Sequence, residues 1–96
     1  MKKLGDGLRS FLRSAGLEWV EDYMRVMEAA KAVLGSYRGL EFHDYRRGVL
    51  ILKFENLHAL MDLYYRRNQI AEAINAIAGE RLVREVKFIS REQADG

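Results

Sequence analysis

The chain contains no cysteine, no proline and no threonine. Without cysteine there is no disulfide, no thiol nucleophile and no thiolate metal site. Hydroxyl nucleophiles are scarce as well: Ser10, Ser14, Ser36 and Ser90 are the only serines, and no G-x-S-x-G elbow surrounds any of them. The two histidines, His43 and His58, lie fifteen residues apart, beyond any local metal-ligand spacing. No Walker loop or dinucleotide fingerprint is present. No apolar run is long enough to span a bilayer, and Met1-Lys-Lys-Leu-Gly-Asp6 lacks the apolar core of a signal peptide. These absences predict a cytoplasmic protein that is not an enzyme and takes no metal or cofactor.

What is present describes one globular domain over residues 1–96. Hydrophobic residues make up 49% and charged ones 31%, enough of both for a core and a solvated surface. The net charge of +2 is too small to announce nucleic-acid binding by itself.

The longest ordered signal runs from Asn56 to Gly79. Leu57, Leu60, Leu63, Ile70, Ile74 and Ile77 recur at helical spacing, with one gap filled by Arg67. Asn56 suits the N-cap and Gly79 the left-handed closing position, so one long helix is predicted. Before it, Leu4, Leu8, Phe11 and Leu12 predict a short helix over residues 3–14. A second should run from Glu18 to Leu34, burying Val20, Met24, Met27, Ala30 and Leu34. From Leu40 the period changes to two. A strand, a turn over Asp44–Gly48 and a strand Val49–Phe54 apolar on both sides form a hairpin with its second strand central. A third strand is expected over Leu82–Ile89, and residues 90–96 should fray. The expected architecture is α+β in the order α-α-β-β-α-β: a helical part over 1–36, a ββαβ part over 39–89 and a frayed tail.

Binding chemistry is concentrated where tyrosine and arginine interleave. Arg38, Tyr45, Arg46, Arg47 and Lys53 lie on or beside the hairpin, and Arg66 and Arg67 follow Tyr64-Tyr65 on the long helix. Arginine clamps phosphate bidentately and tyrosine can stack an unpaired base. The plainer alternative is solvated surface charge, which the pattern by itself favours.

Residues from Val33 to Phe88 resemble the DciA family, bacterial proteins associated with the replicative DNA helicase. The likeness rests on Val33-Leu-Gly35, on Arg47-Gly-Val-Leu-Ile-Leu52, on Leu63 with Arg66-Arg67, on Ile74-Asn75 followed by Gly79, and on Val86-Lys-Phe88. Where the family usually shows two tryptophans, this chain has Ala30 and Ala59, and only eight residues follow Phe88 where many members carry a long tail. The resemblance implies a KH-like domain, binding to single- or double-stranded DNA, and help in loading or operating the helicase. A KH-type G-x-x-G loop is absent, so that mode of gripping a backbone is not implied. The competing expectation is a protein-interaction domain that does not touch nucleic acid.

Overall fold

The computed structural model of the chain describes residue 10 and residues 14–92. Its elements are α1 (Glu18–Leu34), β1 (Leu40–Arg46), β2 (Val49–Phe54), α2 (Leu57–Tyr65), α3 (Arg67–Ala78) and β3 (Glu85–Ser90). The strands form one sheet in the order β1-β2-β3, the first pair antiparallel and the second parallel. The α+β class is the expected one, and β2 is central as its two apolar faces required. The element order differs from α-α-β-β-α-β. The helix expected over residues 3–14 lies outside the described residues, apart from Ser10 and Ser14. The expected long helix is two helices, so the described order is α-β-β-α-α-β. Among the described residues, no helix is long and apolar enough to cross a membrane.

The long helix breaks at Arg66, where φ is −91° and ψ is 3°. Its N–H still donates to the carbonyls of Asp62 and Leu63, each at 3.1 Å, so the chain bends within one residue without orphaning the donor. Arg67 occupies the gap in the apolar stripe half-buried, its guanidinium over the Tyr64 ring one turn before it, 3.9 Å from the centroid. The buried stripe runs across the break through Leu63, Ile70 and Ile74, and only its ends leave it: Leu57 and Ile77 are 70% and 58% exposed. The Asn56 side chain does cap α2, accepting from the His58 N–H at 2.8 Å, and Gly79 closes α3 at φ 79°.

Helix α1 has the expected bounds and buries Ala30 and Leu34 as expected, but its inward face is shifted. Val26, Ala29, Ala30 and Leu34 are buried, Val20 and Met27 are half-buried, and Met24 is 50% exposed. The small alanines let α1 approach α3 closely, and Arg25 secures the contact. Its guanidinium pairs with Glu80 at 3.0 Å and donates to the carbonyl of Ala78, one of the orphan acceptors at the end of α3.

Helices α1, α2 and α3 cover one face of the sheet, where Leu50, Leu52, Phe54 and Val86 meet Ile70 and Ile74. Leu60 and Phe88, expected in the same core, pack partly buried against it. Each fully buried aliphatic side chain contributes about 1.5–3 kcal/mol.

Candidate nucleic-acid interface

The hairpin turn is shorter than expected. Asp44, Tyr45 and Arg46 belong to β1, and only Arg47 and Gly48 lie between the paired residues Arg46 and Val49. Both have positive φ, 48° and 84°, the pattern of a type I′ turn that matches the twist of the flanking strands. What extends β1 is a bulge: Phe42 pairs with Leu52 and Asp44 with Ile51, leaving His43 extra. The bulge moves the inward face from even to odd numbers, so that Tyr45 rather than Asp44 turns toward the helices.

That shift decides what Tyr45 can do. Its ring packs half-buried against the core, and its hydroxyl donates to the carbonyl of Leu82 at 2.6 Å. Burial raises its phenol pKa above the ordinary value, with Asp22 adding to the effect. This placement commits Tyr45 to the fold. The open aromatic surface beside the tip belongs to Trp19, 63% exposed, which shares a groove with Arg46 and Arg47.

The seven candidate residues do not form one patch. Arg46 and Arg47 project from the tip. Arg46 is tethered to Asp44 at 3.0 Å with its side chain 81% exposed, and Arg47 is exposed without an ion pair among the described residues. Arg38 and Lys53 sit at the other end of the hairpin, roughly 20 Å away at the rise of a strand. Lys53 is paired with Glu41 at 3.4 Å. Arg66 is paired with Asp62 at 3.2 Å at the α2–α3 bend, and Arg67 beside it donates to the Tyr64 carbonyl at 2.7 Å.

One residue absent from the sequence expectation connects these places. The Arg84 N–H donates to the Gly48 carbonyl at 2.7 Å, and its side-chain methylenes lie against the Gly48 Cα. Its stem therefore lies beside the tip, and it also lines the groove between the α2–α3 break and β3 that Arg67, Glu85 and Lys87 border. Arg84 is thus shared between the hairpin tip and the groove at the α2–α3 break. Asp22 and Asp44 share the Trp19 groove with Arg46 and Arg47, so the charge on that side of the tip is mixed. Among the described residues no three His, Cys, Asp or Glu side chains gather as a metal site.

The family model described as "Dna[CI] antecedent, DciA" matches residues 3–88. No curated protein matches the chain.

Proposed function

The chain belongs to the DciA family, and from that premise we propose that it is a DNA-binding adaptor of the bacterial replicative helicase, acting in the loading or operation of that enzyme. It works by binding and not by catalysis, in the cytoplasm, and needs no cofactor. The domain is read as KH-like, gripping the DNA backbone through the hairpin tip in place of a G-x-x-G loop. The observation that supports this reading is the packing of the Arg84 stem on Gly48, the residue next to Arg47 in the turn. A guanidinium on a packed stem recognises phosphate at a lower ordering cost than one on a free stem. Trp19 supplies a face on which an unpaired base can stack.

Titration of labelled single- and double-stranded DNA at several salt concentrations tests the reading. With about four phosphate contacts on a single strand, log K falls against log salt with a slope of roughly −3. The double variant Arg46→Gln/Arg47→Asn keeps the turn and should flatten that slope by about one to one and a half units. Unchanged binding by this variant at every salt concentration removes the tip from the site. A folded parent that does not bind at low salt leaves the second reading, a protein-interaction domain without nucleic acid. That reading draws on the exposed Leu57, Met61, Tyr64 and Tyr65 of α2.

A further inference from the structure

Both outer strands of a sheet expose unpaired backbone groups unless something blunts them. Here β1 is interrupted by the His43 bulge and packs against α1. Strand β3 has neither protection: its register with β2 is unbroken from Glu85 to Ser90, and no described strand pairs with its outer side. The groove beside it is lined by five consecutive residues, Arg84 to Phe88. Side chains alternate between the two faces of a strand, so a groove that meets every residue in turn runs along the backbone edge.

The charges on that edge are self-complementary. Glu85 and Lys87 are exposed on the sheet face away from the helices, opposite Val49 and Ile51 of β2. Among the described residues neither makes an ion pair. In an antiparallel pairing of β3 with its own copy about Val86, each Glu85 faces the Lys87 of the other chain. Centring the pair on Glu85 or Lys87 sets like charges against each other, and centring it on Phe88 draws on Arg91, which is held by Glu55.

We propose that β3 is a self-pairing edge through which two copies of this chain join antiparallel about Val86, extending the sheet to six strands. The contact is isologous, as a closed two-fold dimer requires. The axis keeps both helical layers on one side, so Met61 and Tyr64 of α2, which border the same groove and are 66% and 50% exposed, are covered by the other copy. Arg46 and Arg47 stay outside the joint, giving the dimer two tips, whereas Arg67 borders the covered groove, so the tips are the surface left open to phosphate.

Sedimentation of the full chain at rising concentration, with circular dichroism to confirm folding, tests this. The parent should reach dimer mass. Glu85→Lys alone and Lys87→Glu alone each replace two attractive pairs by two repulsive ones and should self-associate about tenfold or more weakly. An equimolar mixture of the two single variants restores both attractive pairs and should return to dimer mass, as should the double exchange E85K/K87E. A parent that stays monomeric overturns the proposal and leaves the edge to a strand from another protein. Single variants that dimerise like the parent, or a mixture that stays monomeric, overturn it equally.

Discussion

Asn75 and Val83 exchange two hydrogen bonds: the Asn75 amide donates to the Val83 carbonyl at 2.9 Å, and the Val83 N–H donates to Asn75 Oδ1 at 2.8 Å. A side chain on α3 thus pairs with extended backbone as a neighbouring strand would. It fixes the path from Gly79 into β3, since the Asn75 carbonyl also accepts from the N–H groups of Gly79 and Glu80 at 2.9 and 3.3 Å. The Asn75 and Gly79 of the family likeness are therefore one structural device that sets where Arg84 meets the hairpin.

Asn75→Ala should cost about 1–3 kcal/mol, because it strands both polar backbone groups of a residue that is buried. Urea unfolding measures the loss. A change below about 0.5 kcal/mol, typical of a surface site, would show that water replaces the amide without penalty.

Leu52→Ala should cost about 2–5 kcal/mol, since Leu52 is fully buried between the sheet and the helices. Ile77→Ala, at the end of the helical stripe read from sequence, should change stability by less than about 0.5 kcal/mol because Ile77 is 58% exposed. Equal losses at both positions would place Ile77 in the core.

Local signals were legible in the sequence and tertiary ones were not. The Asn56 cap and the left-handed Gly79 involve only neighbours in the chain, and the bounds of α1 were legible although it starts without a side-chain cap and Gly35 is right-handed. On α1, Ala30 and Leu34 are buried as expected, but Val26 and Ala29 take the places expected for Met24 and Met27, because close helix packing selects the smaller side chains. The His43 bulge has no compositional mark, and with it the inward turn of Tyr45 was hidden. Arg84 stood among ordinary charges until the parallel pairing of β3 placed it on Gly48. The break at Arg66 did leave a trace, as the one gap in the stripe.

Asp22 gives the fold a pH dependence of definite sign. Burial raises its carboxyl pKa above 3.8, with Glu80, Glu21 and Glu18 adding to the shift and Arg25 opposing it. The folded state thus holds the proton more tightly than the unfolded state, and stability falls as pH rises from the ordinary value through the raised one. Asp22→Asn should stabilise the protein at neutral pH, with the gain vanishing near about pH 3, where the parent is protonated in both states. Urea midpoints at the two pH values decide it. A gain that is the same at both would assign the effect to packing.

The turn residue Arg47 sets stability against binding. A side chain at φ 48° carries a steric cost of about 1–2 kcal/mol, which asparagine bears more easily, and Asn-Gly is the favoured pair for a type I′ turn. Gly48 leaves no such freedom, because its φ is 84° and a Cβ there would press on the Arg84 side chain at 3.2 Å. Arg47→Asn should therefore raise stability by about 0.5–1 kcal/mol while removing one phosphate contact. On a single strand that contact is about 0.7 of a unit in the salt slope. Thermal unfolding and DNA titration on the same variant should move in opposite directions. If stability rises while the salt slope is unchanged, Arg47 does not contact phosphate. If stability falls, the Arg47 side chain makes a contact at the tip that outweighs the strain of its backbone.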